Sequence, residues 1–510
     1  MSLLNCDTIV CFGDSLTQHG WDVSKRGWVA QLSQVYLRKL GIVNQGFSGY
    51  TSRWTLPLLP QILPAATSEG PRPRLLTILL GSNDAMLPGY VHHVPIDEYK
   101  SNIERMVTMV TDPNSAHYSP DTKILLITPP ALGEKLFASK YVMFVGRTPE
   151  SVKACADVMR DIAVRYSLPC VDLWTAVETQ AREHGGELDG YDQFSYDGVH
   201  LNAGGNDLLF KLVMQTIEQH YPELDPAKMP YVVPHHSDLI AAITENEDLD
   251  FAMSLLNCDT IVCFGDSLTQ RGWDISKHGW VTQLSQVYQR KLDIVNRGFG
   301  GYNSRWTLPL LPQILPAATS EGPRPRLLTI LLGSNDAMLP GYVHHVPIDE
   351  YKSNIERMVT MVTDPNSAHY SPDTKILLIT PPALGEKLFA SKYVMFVGRT
   401  PESVKACADV MRDIAVRYSL PCVDLWTAVE TQAREHGGEL DGYDQFSYDG
   451  VHLNAGGNDL LFKLVMQTIE QHYPELDPAK MPYVVPHHSD LIAAITENED
   501  LDVAQFLLHK

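Results

Sequence analysis

Cysteine is scarce: eight residues in 510, with none in a CxxC pair. A disulfide scaffold needs a far denser supply, so these read as buried or free thiols in a reducing compartment. Long hydrophobic runs are missing as well. The longest, such as Leu75 to Leu80, fall far short of the roughly 20 residues that span a bilayer. Positive charge is in deficit, with 40 Lys and Arg against 61 Asp and Glu and a formal net charge of −21. A nucleic-acid partner needs a basic face to neutralise phosphate, so that class is disfavoured. Anionic membranes would repel the same surface. Glycine and proline, 34 each, are too few for a collagen-like or linker-like chain. The opening MSLLNCDTIVCFGDS has no basic n-region, and Asn5, Cys6 and Asp7 interrupt its apolar stretch, which does not read as a signal peptide. The expectation is a cytoplasmic protein with neither nucleic acid nor membrane as partner.

What is there is an ordinary globular composition, 44% hydrophobic and 20% charged, on a length that suggests two to four domains. Self-comparison shows how they arise, because residue n matches residue n + 252. MSLLNCDTIVCFGDSLTQ recurs at 253 to 270, and the stretch from Ser52 to Asp250 recurs unchanged from Ser304 to Asp502. The differences fall between positions 19 and 51: His19/Arg271, Val23/Ile275, Arg26/His278, Ala30/Thr282, Leu37/Gln289, Gly41/Asp293, Gln45/Arg297, Ser48/Gly300 and Thr51/Asn303. A period this long is not a solenoid repeat. Each copy can bury its own core, so the pattern predicts two tandem domains, 1–252 and 253–510. The near-identity is equally the mark of a recent duplication and of two adjacent genes read as one.

Within one copy, short β-rich apolar runs alternate with helical periodicity. Strands are expected at Thr8 to Phe12, Ile42 to Asn44, Leu75 to Leu80, Lys123 to Thr128 and Pro169 to Leu173. Helices are expected over 28–40, 96–110, 148–165, a stretch ending near Gly185, and 203–219. Strands apolar on both faces and separated by helices make a parallel sheet covered on both sides. The fold class is α/β, a flavodoxin-like three-layer α/β/α with a five-stranded parallel sheet, in two tandem copies. Pro222 to Pro234 reads as a strap packed over the domain.

In such folds ligands sit at the carboxyl ends of the strands. There the sequence places Gly13-Asp14-Ser15, Asn44-Gln45-Gly46 and Gly81-Ser82-Asn83-Asp84, with Asp197-Gly198-Val199-His200 before the last helix. These parts suit acyl transfer. A serine hydroxyl needs a base to remove its proton, His200 can supply one, and Asp197 can orient that base. The N–H groups of Ser15 and Gly46 and the Asn83 amide are candidate oxyanion donors. Gly46, lacking Cβ, would let substrate approach closely.

GDSL near the start, Gly46, the Gly81–Asp84 segment and DxxH near the end together resemble the four blocks of the SGNH (GDSL) hydrolases. The strings NQGFSGYTSRW, HVPIDEYKSNI, ITPPAL, VDLWTA and DGVHLNAGGNDLLF resemble the isoamyl acetate-hydrolysing esterase subfamily. The resemblance covers about residues 7 to 230 and 259 to 482. It implies Ser15 as nucleophile, His200 as base, Asp197 as its orienting acid, and Ser15, Gly46 and Asn83 as the oxyanion hole. In the second copy it implies Ser267, His452, Asp449, Gly298 and Asn335 in the same roles. It further implies a serine esterase acting on small-molecule acetate esters, with no metal and no organic cofactor. A carbohydrate acetylesterase or lysophospholipase on the same fold remains an alternative, as does a non-catalytic tandem binding module. The strand-end acids Asp14, Asp84 and Asp197 with His200 leave a metal-dependent phosphoesterase as a weaker rival. His92-His93 and His235-His236 are adjacent pairs, poorly spaced for a metal. Arg53 and Trp54 are candidates for pocket walls.

Overall fold

The computed structural model describes residues 7–67, 72–141, 146–231, 259–319, 324–393, 398–498 and 501–508. In the first repeat the strands are β1 (Thr8–Gly13), β2 (Gly41–Gly46), β3 (Pro73–Leu79), β4 (Lys123–Ile127) and β5 (Cys170–Val171). They form one sheet in the order β2-β1-β3-β4-β5, with every pairing parallel. This is the flavodoxin-like order. The second repeat repeats it with β6 (Thr260–Gly265), β7 (Asp293–Gly298), β8 (Pro325–Leu331), β9 (Lys375–Ile379) and β10 (Cys422–Val423), ordered β10-β9-β8-β6-β7. Each sheet is ringed by helices, so the expected fold class holds in both copies.

The sheet is buried because its strands are apolar on both faces; all six residues of β1 are buried. The helix Ile96–Thr111 packs against Pro149–Arg165, and Trp28–Val35 packs against Ala203–His220. Each turns an apolar stripe inward, such as Tyr99, Ile103, Met106, Val107 and Val110. The register does the positioning. Gly13 stands opposite both Gly46 and Leu79, Leu79 opposite Ile127, and Ile127 opposite Val171. All five strands therefore end level, and their following loops share one edge.

Two elements are shorter than the pattern predicts. The helix expected over 28–40 stops at Val35. Tyr36 turns inward, where its hydroxyl donates to the Leu224 carbonyl at 2.7 Å, and Arg38 takes φ 60°. The fifth strand keeps only Cys170–Val171 because Asp172 caps the next helix, Leu173–His184, accepting from Thr175 N–H at 3.1 Å. The predicted strap begins as a tight turn at Pro222–Leu224 with Leu224 fully buried. Its residues beyond Tyr231, and His235-His236, lie outside the described residues.

The chain divides into two compact units, and the division does not follow sequence order to the end. Asp7–Pro230 forms one unit together with the stretch that begins at Tyr483. Within that unit the helix Val503–Leu508 packs on the Leu56–Leu58 turn. Leu491, on the helix His488–Glu497, is fully buried. The Pro486 carbonyl accepts a hydrogen bond from the Tyr50 hydroxyl at 2.7 Å. Leu491→Ala is expected to cost this unit about 2–5 kcal/mol. Hydrogen exchange in the helix Trp28–Val35 checks it, since Ala30 distinguishes its peptides from those carrying Thr282. Protection should fall there and stay unchanged in the Thr282 peptides.

Candidate active site

β1 ends at Gly13, and Asp14 turns the chain into the short helix Ser15–Gln18 by accepting the Leu16 N–H at 2.9 Å. Ser15 thus heads a helix at the carboxyl edge of the sheet, where its own N–H has no helical acceptor. From the far end of the repeat, Asp197 and His200 sit in the loop before Ala203–His220. Asp197 Oδ1 accepts the N–H groups of Val199 (3.0 Å) and His200 (2.7 Å), which folds the loop back on itself. Its Oδ2 then meets His200 Nδ1 at 2.7 Å, and His200 Nε2 lies 3.0 Å from Ser15 Oγ. Tyr141 adds a hydroxyl donor to Asp197 Oδ2 at 3.1 Å. The second repeat reproduces the line: Ser267 Oγ to His452 Nε2 at 3.0 Å, and His452 Nδ1 to Asp449 Oδ2 at 2.7 Å.

Electrostatics favour a charged acid behind the imidazole. Burial pushes the Asp197 carboxyl up, but the His200 hydrogen bond and charge and the two N–H donors outweigh it, so its pKa is held at about 2. Asp449 behaves alike, also at about 2. The other strand-end acids go the opposite way. Burial raises Asp14 to about 7 and Asp84 to about 6, and Asp266 and Asp336 match them. Asp84 is structural: its Oδ1 accepts the Ser52 N–H at 2.9 Å and so holds the loop after Gly46.

The candidate amide donors have partners of their own. Asn83 Nδ2 donates one hydrogen to the Tyr50 carbonyl at 2.8 Å, which orients the amide and leaves its second hydrogen for another acceptor. The Gly46 N–H is engaged, donating to Asn44 Oδ1 at 2.9 Å, and Gly298 does the same to Asn296 at 2.8 Å. Packing by itself requires glycine here. A Cβ at Gly46 would lie 2.0 Å from the Gln18 N, so the close neighbour is the short helix that begins at Ser15.

Other side chains surround this line. Tyr196 stacks on His200 with centroids 5.8 Å apart, and His19 lies 5.4 Å from the same ring. Arg53 is paired with Glu98 through both oxygens. Trp54 is buried against Tyr50 and His92. The adjacent histidines diverge as expected, His93 Nδ1 lying 2.6 Å from the Met86 carbonyl while His92 faces Trp54. Tyr141 was missed in the sequence, because 56 residues separate it from Asp197 and no local pattern marks it.

A hydroxyl, an imidazole and a carboxylate in one hydrogen-bonded line, beside amide donors at the end of a parallel sheet, is the apparatus of an acyl hydrolase. A model of the GDSL-like lipase/acylhydrolase family matches residues 11–208 and again 263–460. The chain belongs to that family, twice over, and is a carboxylic ester hydrolase. It is 34% identical over 242 residues to a GDSL esterase/lipase of Arabidopsis thaliana, spanning 45% of this chain and 93% of that protein. It is 30% identical over 252 residues to the isoamyl acetate-hydrolyzing esterase 1 homolog of Mus musculus, spanning 46% and 90%. With the isoamyl acetate-hydrolyzing esterase of Saccharomyces cerevisiae the identity is 29% over 248 residues, spanning 46% and 97%. Among the described residues no helix is long and apolar enough to cross a membrane.

The raised acids give a pH signature. Asp14 and Asp84 bind protons in the folded state at pH values where an unfolded carboxyl, near pKa 3.8, has lost them. Stability therefore falls as pH rises from about 4 to about 7. The Asp197 contribution has the opposite sign: it is complete above the unfolded pKa and is lost only as pH falls toward 2. Asp14→Asn combined with Asp266→Asn is expected to flatten the decline. Melting temperatures at pH 5 and pH 8 check it, the parent losing more than the double variant.

Proposed function

We propose that each repeat is a serine esterase that hydrolyses short-chain acetate esters of small alcohols through an acyl-enzyme. The observation that carries the reading is the Ser15–His200–Asp197 line at 3.0 and 2.7 Å, present again at Ser267–His452–Asp449. Ser15 Oγ attacks the ester carbonyl while His200 Nε2 takes its proton. The charge on Asp197 holds the imidazole in the tautomer that leaves Nε2 free to accept, and stabilises the imidazolium. The carbonyl oxygen becomes an oxyanion that the Ser15 N–H and the free hydrogen of the Asn83 amide stabilise. The Gly46 N–H joins them when it exchanges Asn44 for the oxyanion. The imidazolium then gives its proton to the departing alcohol. Water attacks the acetyl-serine by the same route, with His200 again as base, and acetate leaves.

No step draws on a metal or an organic cofactor. The acetate preference is supported by relatives named for hydrolysing isoamyl acetate. A cytoplasmic setting is supported by thiols that are free and buried or half-buried, such as Cys11, Cys155 and Cys170.

The test uses the parent, Ser15→Ala, Ser267→Ala and the double variant on nitrophenyl acetate and nitrophenyl octanoate. Each single variant should retain part of the activity, and the double variant should lose on the order of 10⁴ or more in rate. A double variant as active as the parent would falsify the serine mechanism. Asn83→Ala in the Ser267→Ala background should lower kcat by about 10²–10³, measured on the acetate ester.

A further inference from the structure

The two sites differ at one residue that touches the catalytic histidine's surroundings. The helix that begins at the nucleophile is one turn long, so the position four residues on returns to the nucleophile's side. In the first repeat that position is His19, whose ring centroid lies 5.4 Å from that of His200. Burial, and the positive neighbours His200 and Lys25, push His19 down to about 4, so it is neutral at neutral pH. In the second repeat the position is Arg271, which is exposed. Its Nη1 donates to the Tyr448 hydroxyl, and the guanidinium stands 5.8 Å from that ring's centroid. Tyr448 in turn stacks on His452, centroids 5.8 Å apart and planes within 14°.

Lys25 and Lys277 sit over the equivalent tyrosines at 5.0 and 5.2 Å, so neither accounts for a difference. Arg271 forms no ion pair among the described residues. At this position the second site thus carries a fixed positive charge, without an acid partner, where the first carries a neutral ring. The histidine hands its proton to the leaving alcohol, so that alcohol passes on the imidazole side of the site, the side Arg271 occupies.

We propose that Arg271 makes the second site selective for esters whose alcohol portion carries an anionic group, a carboxylate above all, while the first site, with His19, favours neutral esters. This rests on the serine-esterase reading above. Two opposite charges within about 6 Å at a solvated protein surface change the preference by about 5-fold or more.

Each site is read alone, the first in Ser267→Ala and the second in Ser15→Ala. The substrates are 4-acetoxybenzoate, which is anionic, and its neutral methyl ester. The quantity read is the ratio of kcat/KM for the anionic to the neutral ester. Comparing that ratio between sites cancels the intrinsic reactivity of the two phenols. The second site should show a ratio at least fivefold above the first. Arg271→His should bring it down to the first site's value, and His19→Arg should raise the first site's ratio. Raising salt from about 0.02 to about 0.5 M should compress the difference, because the charge is exposed. Equal ratios at the two sites, or a ratio that Arg271→His leaves unmoved, would overturn the proposal. The Arg271→His variant also separates this residue from Gln45/Arg297, the other substitution near the site that adds a charge. If neither single-site protein hydrolyses even the neutral ester, the esterase reading itself fails, and this proposal with it.

Discussion

One hydrogen bond joins the two ends of each repeat. Ser15 Oγ and His200 Nε2 lie 3.0 Å apart across 185 residues of chain, and nothing local in the sequence can hold them there. The sheet does it by register. Because Gly13, Gly46, Leu79, Ile127 and Val171 end level, the loops that follow are delivered to one edge. The last helix, Ala203–His220, is tied to the start of the repeat through Asn206, whose Oδ1 accepts the Trp28 N–H at 3.1 Å. The Trp28 indole in turn donates to the Leu16 carbonyl at 3.1 Å, so the two bonds together tie the helix after His200 to the helix carrying Ser15. A shift of one residue in any central strand would move a donor by about 3.3 Å, more than the whole length of the bond the chemistry needs.

The carboxylates show how one edge supports opposite charge states. Asp197 receives two backbone N–H groups and the imidazole, so it stays ionised and can stabilise positive charge opposite. Asp14 and Asp84 are deeper and each has one oxygen without a hydrogen-bond partner, so burial favours their protonated forms. Their work is to shape loops: Asp14 caps the helix that begins at Ser15, and Asp84 holds Ser52. A rival chemistry built on a cluster of strand-end acids would need these groups turned toward a shared centre. Asp84 Oδ1 instead faces the Ser52 N–H, and Asp14 Oδ1 the Leu16 N–H.

Much of this was legible in the residues themselves. β1, β3 and β4 are built on predominantly apolar runs, and a run that must be buried on both faces has few alternatives to the middle of a parallel sheet. Ser15, Asn83, Asp197 and His200 stand next to element boundaries that glycine and proline mark. Other features depend on contacts that no local pattern records. The helix after Trp28 stops early because Tyr36 is drawn inward to Leu224, 188 residues away. The fifth strand shrinks because Asp172 serves the next helix better than the sheet. The packing of Gly46 against the backbone of Gln18 is a contact of this kind. The placing of the last stretch of chain with the first repeat was likewise invisible, since its sequence PHHSDLIAAITENEDLD also occurs at 234 to 250.

Near-identity of the repeats sharpens what their differences mean. Every residue of the triad line, its Tyr141 or Tyr393 donor and the amide donors is the same in both copies, so the chemistry of the two sites is set by one geometry. The substitutions fall in the stretch that builds the nucleophile's helix, the helix after it and the Gly46 loop. Most are absorbed without consequence for the site's shape. Thr51 and Asn303, for example, both cap the helix that follows, accepting from Trp54 and Trp306. Ser48 and Gly300 both receive the Gln18 or Gln270 side-chain oxygen on the backbone N–H. His19/Arg271 is not absorbed in this way, because the two side chains differ in charge and take different partners beside the same imidazole. With the hydrogen-bonded line the same in both copies, a charge that differs beside the imidazole acts through electrostatics at the mouth of the site rather than through the reacting groups.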